Sequence, residues 1–267
     1  MNNQEWSRSR FWLCHFLHSR HVRQSIEWES DRGLTAGDGD ALRAGLIANR
    51  YAPRGGAWLV ARAVHDCAHD PAYIQSLRLL VKEQRYHDEV IDRIVERCGG
   101  TLAPRRTIAP SMGLRLGRVR RRWLGQRFEM SLLLLGSLVD LMTLTMIAAK
   151  CRDAAVGGTL RNIVADKQAH IWFFTERLTW SYAEFQFVRR NVRRLRLRCM
   201  WAVLIVLAGR RYRPLIRAAG STPMQFVLAG FLRFEGLLES MVPYRRETLL
   251  AALWAQRRNR YAKPDLR

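Results

Sequence analysis

The spacing of apolar residues along the chain predicts helices rather than strands. Asp70-Pro71 and Val156-Gly157-Gly158 interrupt the pattern at short breaks, whereas the connection over 99–121 is long. These interruptions leave four predicted helices, at 56–69, 72–98, 122–151 and 157–185. Short, long and short connections are typical of two antiparallel hairpins, so the core is predicted to be a four-helix bundle.

Helical patterns flank this bundle on both sides. The N-terminal region, residues 1–54, contains helical stretches near 8–28 and 39–49, and we expect it to be an extension of the core. The C-terminal region, residues 186–267, contains predicted helices at 199–209, 223–241 and 245–259. The predicted fold class is therefore all-α, with a bundle over 55–185 and additional N- and C-terminal helices.

The segment from Met130 to Ala149 is almost wholly apolar, and Asp140 is its only charged residue. Such a segment is long enough to cross a bilayer. However, both of its flanks are basic and a charge at mid-span is disfavoured in lipid. The alternatives are a membrane-spanning helix and a central helix buried on all sides, and the sequence favours the second.

The charge and the cysteine content of the chain indicate its possible partners and its cellular compartment. The chain has 45 basic and 23 acidic residues, a formal net charge of +22, and only four of its bases are lysines. Such an excess favours contact with nucleic acid, anionic lipid or an acidic partner. The five cysteines are widely spaced and form no CxxC pair, which fits a reducing cytoplasm, and the first thirty residues predict no secretory signal.

Candidate chemistry lies in a motif that occurs twice. In Glu83-Gln84-Arg85-Tyr86-His87 and again in Asp166-Lys167-Gln168-Ala169-His170, an acid precedes a histidine by four positions. Residues three or four apart share one face of a helix, so each acid lies on the same side as its histidine. If both helices face the centre of the bundle, the two histidines meet there.

This repeated motif resembles the ferritin-like superfamily of di-iron carboxylate proteins, which includes rubrerythrins, ribonucleotide reductase small subunits and arylamine N-oxygenases. The resemblance covers about 55–185 and implies oxidation or oxygenation of a small molecule. It implies that His87 and His170 are metal ligands and that Asp166 is an acid behind a ligand. Gln84 and Lys167 fall where the superfamily has its two bridging glutamates.

Folding each hairpin about its loop predicts the neighbours of Lys167. Asp140 or Leu141 lies level with Lys167, and the wider spacing usual in the superfamily favours Ser137 instead. A metal-free branch of the ribonucleotide reductase small subunits has a similar replacement by Gln, Ser and Lys.

Four interpretations of the site remain. A standard di-iron centre is disfavoured, because it needs about four carboxylates. A single iron or other transition metal could use His87, His170 and a shifted acid such as Glu83 or Asp166. In the third interpretation, Lys167 replaces the charge of the metal and pairs with Asp140 or Asp166. In the fourth, the histidines are ordinary core residues and Lys167 is solvated.

Two histidine groups are weaker metal candidates: His15, His18 and His21 with Cys14, and His65 with His69. The basic runs Arg115–Arg127 and Arg189–Arg198 are predicted to lie at one end of the bundle. Interleaved Leu195, Leu197, Met200 and Trp201 favour an anionic membrane surface over nucleic acid, and the alternative is a solvated basic face that packs on its own bundle. The second function class is thus a non-catalytic scaffold that binds membrane or an acidic partner through this arginine-rich end, as a monomer or a homodimer.

Overall fold

The computed structural model describes residues 3–21, 43–48, 56–97, 110–151, 154–183 and 187–241 of the 267-residue chain. Within these ranges every regular element is a helix, so the all-α prediction is confirmed. The predicted loop at 33–39 and the predicted helix at 245–259 lie outside the described residues. The helices are α1 (Asn3–His21), α2 (43–48), α3 (Gly56–Asp66), α4 (Pro71–Arg97), α5 (Pro110–Lys150), α6 (Ala154–Ala183), α7 (Phe187–Arg211), α8 (Arg213–Ala218) and α9 (Pro223–Met241).

Local chemistry explains where two of these helices begin. Pro71 opens α4, and the Asp70 carboxylate accepts a hydrogen bond from the backbone N–H of Tyr73 at 3.0 Å. At the start of α9, the Thr222 N–H donates to the Gln225 side chain at 2.8 Å, and the Gln225 N–H donates to the Thr222 hydroxyl at 3.2 Å. This reciprocal pair is a capping box, and it satisfies two backbone donors that a helix start leaves open.

Helix α5 is longer than the sequence pattern indicated. The prediction of a start at 122 and a long connection over 99–121 is wrong, because helical residues begin at Pro110. Gly125 interrupts the helix with φ 71° and ψ 177°, a conformation that glycine adopts without steric cost. The second half, Gly125–Lys150, is the one span within the described ranges that is long and apolar enough to cross a membrane, and 67% of its apolar window is buried inside the protein. That burial favours the predicted central helix.

The N-terminal helix packs into the core that surrounds the repeated motif. Trp12 and Phe16 are buried, and their rings lie 5.5 Å and 5.7 Å from the ring of Phe173 on α6. The Ser9 hydroxyl donates to the Asp70 carboxylate at 2.5 Å, which ties α1 to the start of α4. The N-terminal residues that we expected to be an extension therefore form part of the hydrophobic core.

Helices α7 and α9 form a second pair beside α5 and α6. Trp201 of α7 is fully buried and stacks on Phe234 of α9 at a ring-centroid distance of 5.4 Å. Leu197 is also buried, whereas Leu195 is exposed. Leu197 and Trp201 therefore fit the interpretation of a face packed on its own bundle rather than one that enters a membrane, since both turn inward to fill the contact between α7 and its neighbours.

Candidate functional site

Two crossed pairs of side chains join α4 to α6 at the centre of the protein. His87 Nε2 on α4 lies 2.8 Å from Asp166 Oδ2 on α6, and His170 Nε2 on α6 lies 2.7 Å from Glu83 Oε2 on α4. Each acid thus contacts the histidine of the other helix. From Glu83 to His87 the residue number rises along α4, whereas the number of the contacted residue on α6 falls from 170 to 166. The two helices therefore run antiparallel here.

The two histidines meet, as predicted. Their ring centroids are 5.9 Å apart, and His87 and His170 are 1% and 0% exposed. Phe16 of α1 lies 6.0 Å from the His170 ring and closes the site on that side. Phe16 could not be predicted from the sequence, because an apolar residue in an N-terminal segment does not indicate which helix it packs against.

The lysine of the second motif is also buried. Lys167 Nζ on α6 lies 2.7 Å from Asp140 Oδ2 on α5, and the two residues are 8% and 9% exposed. The predicted pairing of Lys167 with Asp140 is confirmed, and the interpretation of Lys167 as a solvated residue is wrong. A carboxylate inside an apolar helix is tolerated when an opposite charge contacts it, and Lys167 supplies that charge.

The two remaining predicted site residues lie beside these pairs. Ser137 is buried on α5 three residues before Asp140, so the two share a face of that helix. Gln84 is half-buried on α4, next to Glu83. All eight candidate residues therefore lie on α4, α5 and α6: Glu83, Gln84, His87, Ser137, Asp140, Asp166, Lys167 and His170. The three contacts join all of them except Gln84 and Ser137.

Burial lowers the pKa of His87 to about 4, because the low-dielectric interior disfavours the charged ring. The hydrogen bond to Asp166 acts in the opposite direction, and the neighbouring Lys167 ammonium and His170 ring add to the lowering. His87 is therefore neutral at neutral pH. A carboxylate accepts, so Nε2 carries the hydrogen, and Nδ1 finds no hydrogen-bond partner in the described part of the chain.

The donor set does not fit a di-iron centre. Lys167 places an ammonium in the site, and Asp140, the acid that α5 contributes, is paired with that ammonium. No group of three His, Cys, Asp or Glu side chains converges as a metal site anywhere in the described ranges. The same geometry does not fit a single metal held by His87, His170 and an acid, since Glu83 and Asp166 already accept from the imidazoles.

The weaker histidine groups do not converge either, as far as the structure describes them. On α1, His15 stacks on Phe11 at 6.2 Å while Cys14 is exposed. His65 Nδ1 lies 2.7 Å from Asp66 at the exposed end of α3. These contacts are typical of a helix surface.

Comparison with known proteins adds no family to this picture. No protein-family profile, curated protein or solved structure matches the chain.

Proposed function

We propose that this protein is a metal-free homologue of the ferritin-like oxidoreductases. Under this proposal, α3 to α6 correspond to the four helices of the ferritin-like bundle. The chain acts in the cytoplasm on a small molecule, and its centre contains buried acid–base groups in place of two iron ions. The resemblance of the two Glu/Asp-x-x-x-His motifs to the superfamily supports the oxidoreductase part.

The observation that carries the metal-free part is the contact of 2.7 Å between Lys167 Nζ and Asp140 Oδ2. A di-iron site uses about four carboxylates to neutralise two cations. Here one ligand position holds a fixed positive charge, which repels a metal ion at that position and satisfies the nearest carboxylate. Lys167 is one of only four lysines among 45 basic residues, so general arginine enrichment does not explain it.

Metal analysis of protein purified without chelator tests this proposal. We expect well under about 0.1 iron, manganese or zinc per chain after purification and after incubation with ferrous iron under anaerobic conditions. About two metal ions per chain would refute charge replacement, and about one would favour a mononuclear centre.

Restoring the acid gives a sharper test. Lys167→Glu removes the ammonium and adds a fourth carboxylate beside Glu83, Asp140 and Asp166, so we expect this variant to gain ferrous or zinc binding. Lys150→Glu is the matched control, because Lys150 is exposed at the end of α5. Equal metal content in the two variants would show that Lys167 does not occupy a ligand position.

A further inference from the structure

Helix α7 is apolar on two opposite sides. Its inner side, which includes Leu197, Trp201 and Ile205, is buried against the rest of the protein. Its outer side leaves Val203 62% and Leu207 55% exposed, although both are hydrophobic. A helix that needed only to cover the bundle would have polar residues on that side. The outer side of α7 therefore has features of a contact surface.

Helix α9 also exposes a row of apolar residues. Met224, Leu228 and Leu232 follow one another at four-residue intervals along α9, and they are 75%, 60% and 70% exposed. The spacing places all three on one side of the helix. Their exposure exceeds that of isolated apolar residues elsewhere in the described part of the chain, such as Leu17 at 45% and Val64 at 44%.

Contacts between the two helices put these side chains at matching heights. A Cβ atom on Gly230 would lie 2.7 Å from Ile205 Cδ1, and one on Gly209 would lie 3.3 Å from Val227. These contacts align α7 and α9 antiparallel, so that Val203 lies level with Leu232 and Leu207 lies level with Leu228. Two exposed apolar stripes therefore lie at the same level on neighbouring helices, and together we call them the α7–α9 face. Its exposed members are Val192, Leu195, Val203, Val206, Leu207, Met224, Leu228 and Leu232.

The charge around this face is strongly positive. Residues 187–241 contain eleven arginines and two glutamates. Arg196 and Arg210 lie two helical turns before and after Val203, and they therefore share its side of α7. Arg196 also lines a groove together with Arg127 and Arg193. The other lining residues of this groove are Phe128, Ser131, Leu197 and Met200.

We propose that the α7–α9 face docks on an anionic lipid bilayer. Apolar side chains enter the boundary between headgroups and acyl chains, and the flanking arginines contact lipid phosphates. Charge argues against a second copy of the chain as the occupant, because two such faces would bring together surfaces of the same sign. The same argument disfavours the chain's own residues 242–267 as the occupant, because they are also basic, with seven Lys or Arg against two acids.

Sedimentation with vesicles tests the face. The full chain is mixed with vesicles of phosphatidylcholine alone and with vesicles containing about a third phosphatidylserine, a composition that gives the bilayer a negative surface potential. We expect the bound fraction to be about tenfold higher on the anionic vesicles and to fall as salt rises, since salt screens the arginines. Equal binding to both vesicle types, or binding to neither, would overturn the proposal.

A triple variant locates the contact. Replacing Met224, Leu228 and Leu232 with Ser is expected to weaken binding to anionic vesicles by about tenfold or more, because three apolar side chains no longer enter the lipid. The matched control is Leu17→Ser with Val64→Ser, which alters exposed apolar residues outside the face and should bind like the original chain. Circular dichroism and thermal unfolding check that both variants fold.

Two further measurements separate other occupants. If sedimentation equilibrium shows a dimer that the triple variant converts to a monomer while vesicle binding is absent, the face binds a second copy and the lipid proposal is overturned. Binding of duplex DNA or RNA that is lost in the triple variant, again without vesicle binding, would likewise overturn it.

Discussion

The site between α4, α5 and α6 and the α7–α9 face both depart from the usual distribution of residues, one by burying charged groups and the other by exposing apolar ones. The centre pairs three carboxylates with two imidazoles and an ammonium across helices, and all of these groups except the partly exposed Asp166 are buried. The face exposes apolar side chains on neighbouring helices. Buried charge is stable only when opposite charge compensates it, whereas exposed apolar surface of this extent is typical of a binding site. The contrast indicates that paired charges compensate each other in the buried site, whereas the proposed lipid contact would cover the exposed apolar residues.

The largest expected effect comes from breaking one central pair. Lys167→Met leaves the buried Asp140 carboxylate without its ammonium, so the free energy of unfolding should fall by about 3–4 kcal/mol. The double variant Asp140→Leu with Lys167→Met should recover most of that loss, because neither charge then remains. Urea unfolding of the single and double variants measures both effects. Lys150→Met is the exposed control, and an equal loss there would contradict the role assigned to Lys167.

A second expected effect depends on pH. The folded pKa of His87, about 4, lies below its ordinary value of 6.5, so the unfolded chain takes up a proton first as the pH falls. The contribution of His87 to stability is complete above about pH 6.5 and should decrease by up to about 3 kcal/mol toward pH 4. Urea unfolding across this range should show a slope that His87→Gln reduces. His65→Gln, at an exposed ring, should leave the slope unchanged, and the same slope in all three proteins would exclude a buried neutral His87.

Packing should govern the outer helix pair more than charge does. Gly230→Ala places a Cβ 2.7 Å from Ile205 Cδ1 and 3.2 Å from Trp201, so it should destabilise the protein by about 1–2 kcal/mol. Gly236→Ala on the same helix meets no atom within 4 Å and should stabilise it by about 0.5–1 kcal/mol through helix propensity. Thermal unfolding measures both signs. If Gly230→Ala stabilised the protein, α7 and α9 would have to be farther apart than these contacts indicate.

The smallest effect is expected at the exposed ion pair between these helices. Arg198 donates to both carboxylate oxygens of Glu235 at 2.8 Å and 2.6 Å, and this contact lowers the pKa of Glu235. Water and salt screen such a pair, so Arg198→Ala should reduce stability by about 0.5 kcal/mol, and high salt should shrink the difference. A loss of stability above about 2 kcal/mol that does not depend on salt would contradict this expectation, because it is typical of a buried ion pair.

Much of the central site could be predicted because its chemistry is local in sequence. Four-residue spacing placed each acid and histidine on one helix face, and folding the second hairpin about its loop identified Asp140 as a neighbour of Lys167. The crossed pairing of Glu83 with His170 and of His87 with Asp166 could not be predicted in this way. It depends on how α4 and α6 rotate toward each other, which no spacing within one helix specifies.

The outer region was harder to predict for a physical reason. Helix α7 has apolar residues on two sides, and a sequence pattern does not tell which side faces the protein. Leu195 and Leu197 illustrate this, since they are only two residues apart but lie on opposite sides, one exposed and one buried. Similarly, Gly125 was not recognised as a kink, because a glycine within a helical pattern is usually tolerated without a break.

The crossed contacts between α4 and α6 also determine how far one helix can slide along the other. Moving α4 by one turn in one direction would bring Glu83 opposite Asp166, carboxylate against carboxylate. Moving it one turn in the other direction would bring His87 opposite His170. The two contacts join residues that are 79 and 87 positions apart in the chain. They favour a single register of α4 and α6, since a shift by one turn in either direction would bring two carboxylates or two imidazoles together.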